Sequence, residues 1–146
     1  MKSVLPMIWK GGLLTCALVI CMSSVIAQKK VPFNTSTVVP SAEGNVKAKK
    51  DKNGNYELEV YVENLAEPKK LTPAKSVYVV WIETKESGTK KIGLIHTGSS
   101  MFSKTKKASI STSTPNKPVR VFISAEDDPN VETPGTTIVL TTNSFE

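Results

Sequence analysis

The sequence predicts an all-β protein, an antiparallel immunoglobulin-like β-sandwich of seven or eight strands. Three observations predict it. Of the 39 apolar residues after position 27, 19 are Val or Ile, types that suit a pleated, half-buried surface and lose rotamer freedom in helices. No segment sustains the i, i+3, i+4, i+7 apolar stripe of an amphipathic helix. Short alternating runs instead recur every 8 to 15 residues or so, with Gly, Pro, Asn and Asp between them, the pattern of a sandwich.

A chain of 146 residues holds one domain. That size excludes a multi-domain enzyme, and the strand pattern excludes a polytopic membrane protein and a doubly wound cofactor-binding fold. Residues 1–27 read as a signal peptide. Lys2 and Lys10 are followed by an uncharged run from Gly11 to Ile26, and Val25 and Ala27 stand where a signal peptidase requires small or modest residues. The run is too short, and too interrupted by Gly, Thr and Ser, for the roughly 20 apolar residues that span a bilayer. Neither Cys16, after Thr15, nor Cys21, after Ile20, follows the small residue that a lipoprotein signal places before its acceptor. The expected mature chain starts at Gln28, has no stable membrane insertion, and is secreted or periplasmic.

Both cysteines leave with that segment, so the mature domain rests on core packing without a disulfide, which fits a bacterial envelope better than the disulfide-stapled animal secreted families. Two lysines leave as well, and the formal charge falls from +6 to +4. Residues 28–43 are expected as an N-terminal extension or first strand, and 44–146 as the sandwich domain. The sequon Asn34-Thr35-Ser36 matters only in a eukaryotic secretory route.

The clearest strand is Tyr56 to Glu63. Tyr56, Leu58, Val60 and Val62 fall on one face, and Glu57, Glu59, Tyr61 and Glu63 on the other. The stretch Asn45 to Asp51 alternates too, and the turn fixes how the two pair. A three-residue loop Lys52-Asn53-Gly54, with Gly54 in the left-handed position of a bulge, sets Asp51 opposite Asn55. Ala48 then meets Leu58 and Val46 meets Val60 on the core side, while Lys49 meets Glu57 and Lys47 meets Glu59 on the wet side. A two-residue loop would break both agreements.

Pro68 and Pro73 make the stretch from Glu67 a loop. Val77 to Ile82 runs without a polar interruption, as expected of a strand covered on both faces in mid-sheet. Glu86-Ser87-Gly88 turns the chain into Lys91 to His96. Lys106 to Thr112 alternates through Ala108 and Ile110, and Val119 to Ile123 follows the loop of Pro115 and Pro118. The acidic loop Glu126 to Pro134 leads to a last strand, Thr136 to Thr142. No internal repeat or low-complexity segment interrupts the series.

Tyr78-x-x-Trp81 in one strand, Gly93 in the next, Phe122-Ile123-Ser124-Ala125-Glu126, the loop ending Pro134-Gly135 and the apolar strand through Ile138 and Leu140 resemble the extracytoplasmic C-terminal domain of the anti-sigma-K factor family. The resemblance covers about residues 74–142 and implies a sandwich outside the membrane. In that family a transmembrane helix joins it to a cytoplasmic helical domain that holds the sigma factor. About ten residues precede the apolar segment here, so sigma binding is not carried over.

The residues that could carry chemistry favour plainer roles. His96 is the single histidine, and without cysteine a three- or four-ligand zinc site cannot be assembled in the mature chain. A Ser/His/Asp triad using His96 lacks any Gly-x-Ser-x-Gly elbow. Glu126, Asp127, Asp128 and Asn130 could hold calcium, but they lack the order of an EF-hand loop and fit a solvated turn. A carboxylate pair for glycoside hydrolysis needs an aromatic-lined cleft, for which the sequence offers few aromatics. Trp81 with Tyr78 could stack a sugar, yet between Val79, Val80 and Ile82 it reads as core. The lysines at 47, 49, 50, 52, 69, 70, 90, 91, 104, 106 and 107 read as solubilising outward charges, export excludes nucleic acid as partner, and anionic envelope glycans or lipid head groups remain. The expectation is a module without catalytic residues, cofactor or metal, which binds an envelope protein or anionic glycan or acts structurally. A periplasmic sensor domain working through a separate membrane partner is the alternative. A small carboxylate-dependent hydrolase comes third.

Overall fold

The computed structural model describes residues 27–97 and 106–145. The expected signal peptide lies outside them, apart from Ala27. Eight strands follow one another: β1 (Gln28–Pro32), β2 (Glu43–Lys50), β3 (Tyr56–Glu63), β4 (Val77–Thr84), β5 (Gly88–Ile95), β6 (Lys107–Thr114), β7 (Pro118–Glu126) and β8 (Ile138–Thr141), with one 3-10 turn at Pro68–Lys70. No helix among the described residues is long and apolar enough to cross a membrane. The strands form two four-stranded antiparallel sheets, β1-β2-β3-β6 and β5-β4-β7-β8. The chain changes sheet from β3 to β4, from β5 to β6 and from β6 to β7.

The β2-β3 hairpin has the register that its side chains require. Val46 pairs with Val60 and Ala48 with Leu58, while Lys47 pairs with Glu59 and Lys49 with Glu57. The two charged pairs close at 3.3 and 3.5 Å. Gly54 has φ of +89°, and the Asp51 carboxylate accepts N–H bonds from Asn53 and Asn55, each at 2.8 Å.

Inward residues of both sheets make the main core, with Leu58, Val60, Val62, Tyr78, Val80, Val121 and Ile123 almost wholly inaccessible. β4 lies between β5 and β7, and every residue from Tyr78 to Ile82 is buried, the double coverage expected of an unbroken apolar run. Ile92 is left unpaired as a bulge opposite Val80 and Trp81. One lateral side of the sandwich is clasped. After β1 the Phe33 N–H bonds to Gly44 at 3.0 Å and the Asn34 N–H to Thr141 at 2.8 Å, so the chain passes from the edge of the first sheet to that of the second.

Several strand ends differ from expectation by two or three residues, with β5 starting already at Gly88 and β8 spanning only Ile138–Thr141; the difference at the end of β7 bears on function. Glu126 does not open a solvated turn; it ends β7 and is buried. The reason is long-range. Its carboxylate is covered and hydrogen-bonded by Gly135, nine residues on, which the local turn chemistry of Asp128-Pro129-Asn130 does not reveal.

Candidate functional site

The functional surface is best sought on the outer face of the second sheet, where the β7–β8 loop folds back over the strands. Alternation along β7 places Arg120, Phe122, Ser124 and Glu126 on that face, and β4 adds Val79, Trp81 and Glu83. Val79, Trp81 and Phe122 form a second apolar cluster, separate from the main core, with Val77, Leu94 and Val131 packed against it. Trp81 is therefore core, as its apolar neighbours imply, but it is covered by a loop and not by the opposite sheet. Its ring stacks on Phe122 with centroids 6.4 Å apart and planes 17° from parallel.

A chain of polar contacts holds the loop down. The Trp81 indole N–H donates to Ser124 Oγ at 2.7 Å, the Ser124 hydroxyl donates to Glu126 Oε1, and the Gly135 N–H donates to the same oxygen at 2.8 Å. A Cβ at 135 would lie 2.7 Å from Glu126 Oε2, so a larger residue there would displace the carboxylate. Further along, Lys75 pairs with Asp127 at 2.9 Å, Asp128 accepts from the Asn130 N–H at 2.8 Å, and Lys91 donates to the Pro129 carbonyl. Trp81 Nε1, Ser124 Oγ and Glu126 Oε1, the buried members of this chain, each have a partner, as burial requires.

Beside the latched loop a cleft of about 310 Å³ is lined by Thr89, Arg120, Phe122, Pro134, Ile138 and Thr141. Phe122 and Pro134 supply an apolar floor and wall, and Ile138 is 37% exposed. At its rim the Arg120 guanidinium sits 5.6 Å from the Phe122 ring centre and holds Glu83 at 2.6 and 3.0 Å. Arg120 thus stands between a carboxylate across the sheet and a ring two residues along its own strand, at a place where an apolar side chain with a polar neighbour could seat.

The sequence candidates fall elsewhere or apart. Tyr78 and Trp81, three residues apart, face opposite ways, so they cannot form one sugar-stacking platform. The Tyr78 ring lies in the main core, its hydroxyl has no hydrogen-bond partner among the described residues, and burial pushes its pKa up to about 12. Glu126, Asp127 and Asp128 point to three different partners. Among the described residues no three His, Cys, Asp or Glu side chains converge as a metal site would require, and His96 is exposed beyond β5. Part of the lysine charge is paired: Lys47 and Lys49 as above, Lys106 and Lys70 with Glu67, and Lys107 with Glu63 at 3.6 Å. Hydrogen bonds from Lys106 and Lys70 lower the Glu67 pKa.

Nothing in the sequence marks Arg120, Ser124 or Gly135 for chemistry. The period-two parity of β7 could have grouped Arg120, Phe122, Ser124 and Glu126, but which side of the strand meets the loop is set by tertiary packing. Comparison with protein-family models, with curated proteins and with solved structures yields no match for this chain.

Proposed function

We propose that this chain is an exported bacterial β-sandwich of immunoglobulin-like type that serves the cell envelope as a non-catalytic binding module. The observation that carries the reading is the cleft beside the latched loop. It combines an apolar floor, an exposed Ile138 and a fixed Arg120–Glu83 pair on a rigid sheet, the composition of small recognition sites. An envelope protein suits it better than an anionic glycan, because so many lysines of the first sheet's face are already held by glutamates. The apolar segment at 11–26 and the absence of cysteine from 28–146 support export.

The test is capture from envelope extract by the parent protein and by Ile138→Asp, with melting curves for both. A membrane or envelope protein retained by the parent and lost by the variant at unchanged stability supports the reading. Equal retention by both, or retention of peptidoglycan or polysaccharide alone, overturns it. N-terminal sequencing should find Gln28; a lipid-bearing Cys16 or Cys21, or an intact Met1, removes soluble export.

The alternative, a sensor domain acting through a separate membrane partner, is favoured by one observation. Tyr78, Trp81, Gly93, Phe122 to Glu126, Gly135 and Leu140, the residues of the anti-sigma-K resemblance, all lie in the second sheet or its loop. For that reading the captured protein is a single membrane protein in stoichiometric amount.

A further inference from the structure

Arg120 and Phe122, two residues apart on β7, share the outer face of the second sheet. Phe122 lines the cleft of about 310 Å³ beside the latched loop, and Arg120 stands where that cleft meets a second recess of about 480 Å³. Arg120 and Thr141 line both. The second recess takes in Glu83 and runs on to Asn34 and Asn143 at the clasp.

Charge at this junction is balanced within the chain. Arg120 Nε and Nη2 both donate to one oxygen of Glu83, Oε2, at 3.0 and 2.6 Å. Among the described residues Nη1 donates to no acceptor and Glu83 Oε1 accepts from no donor, and both side chains remain partly exposed. The pair therefore presents a donor and an acceptor side by side with no net charge. Every other residue lining the two recesses is uncharged. A carboxylate placed here would meet Glu83, and an ammonium would meet Arg120; each would leave one member of the pair without a partner. A side-chain amide satisfies both, its carbonyl accepting from Nη1 and its N–H donating to Oε1.

On the reading that the cleft is a binding site, we infer that its occupant is an extended, uncharged peptide segment with an apolar side chain followed two residues later by Asn or Gln. The apolar side chain seats against Phe122, Pro134 and Ile138, and the amide lies on the Arg120–Glu83 pair. The spacing follows from the strand. Side chains two apart on one face of an extended chain are separated by about 7 Å, as Phe122 and Arg120 themselves are placed. A neutral saccharide would supply donors and acceptors too, but it stacks on open aromatic rings. Phe122 is buried, stacked on Trp81 and flanked by the Arg120 guanidinium, and the walls that remain are aliphatic.

The probe is a capped peptide, Thr-Thr-Leu-Thr-Gln-Thr-Thr, compared with forms that carry Glu or Lys in place of Gln, or Ser in place of Leu. Titration followed by backbone amide NMR of the purified protein reads affinity and location together. The Gln peptide should move the Arg120, Phe122 and Ile138 signals, and each replacement should weaken binding about tenfold. Glu83→Gln leaves Arg120 uncompensated and should turn the preference to the Glu peptide. Should that variant fail to fold, the parent's order of preference still decides. Equal binding of the Gln, Glu and Lys peptides in the cleft overturns the inference and leaves the cleft as a binding site. So does binding of maltohexaose there with no peptide bound, or envelope capture that Ile138→Asp abolishes while no peptide binds. Capture indifferent to Ile138→Asp, with no peptide moving the cleft signals, removes the binding site and the inference with it.

Discussion

Tyr78 shows how a single side chain can be legible in position and illegible in environment. The alternation of β4 places it inward, but nothing in the sequence says that its hydroxyl lacks a partner there among the described residues. A buried polar group without a hydrogen bond costs about 1 to 3 kcal/mol, so Tyr78→Phe should raise stability by about 1 kcal/mol at neutral pH. The phenol also makes a pH signature. Its folded pKa is raised from 10.0 to about 12, so the folded state holds the proton longer than the unfolded one. Stability is therefore unaffected by this group below pH 10 and falls as pH climbs through that interval, by about 3 kcal/mol in all. Denaturant midpoints measured between pH 9 and 12 should diverge between parent and Tyr78→Phe, with the parent losing more; parallel curves would refute the burial of the hydroxyl. Trp81 is the complementary case. It is fully buried and stacked on Phe122, so Trp81→Ala should cost about 3 to 5 kcal/mol, and the emission of Trp81 should be blue-shifted and indifferent to calcium or added saccharide.

At the scale of elements, the β2-β3 hairpin was legible because everything that fixes it is local. Two patterns, one of charge and one of apolar residues, agree on a single register, and one glycine supplies the turn. Gly54→Val should lower stability by about 1 to 2 kcal/mol, the cost of a β-branched residue at positive φ, and an unchanged denaturant midpoint would refute the left-handed turn. The Asp51 carboxylate adds a pH dependence. Desolvation raises its pKa, but hydrogen bonds from Asn55, Asn53 and Gly54 outweigh that and lower it below 3.8. Its contribution is thus present above that pH and is lost as the medium becomes more acid, a loss that Asp51→Ala should abolish in acid titration. The β7–β8 loop was not legible in the same way. Its proline and Asx signals mark a turn correctly, but the latch depends on Ser124 and Glu126 meeting Gly135, and on Trp81 from another strand. Glu126→Ala strands the Gly135 N–H and the Ser124 hydroxyl and should cost about 1 to 3 kcal/mol. It should also red-shift Trp81 emission as the loop lifts; an unmoved spectrum would show that the loop stays down without the carboxylate.

For the whole molecule, the sequence conveyed the all-β class and the strand spacing because alternation, or in β4 an unbroken run of apolar residues, is a property of each strand alone. It did not convey how the sandwich is closed at its sides, because closure joins residues more than a hundred positions apart. Asn34 and Thr141 meet through backbone groups, and the Asn34 side chain donates to Asn143 at 3.1 Å; neither contact has a compositional signal. Phe33 marks the place. Its ring belongs to the main core while its backbone bridges to Thr142, so one residue ties the first strand to the last. With no cysteine among residues 28–146, that clasp works through backbone hydrogen bonds and core packing with no covalent cross-link. Phe33→Ala should accordingly cost about 3 to 5 kcal/mol, whereas Val38→Ala, at a position 39% exposed on the same connection, should stay within about 0.5 kcal/mol of the parent. Hydrogen exchange separates a clasp from ordinary core. In Phe33→Ala the amide of Asn34, which bonds to the Thr141 carbonyl, should lose protection before those of β3 and β4, at denaturant concentrations where the main core still holds. If all of them open together, Phe33 is one core residue among many and the two sheets are held by their faces alone.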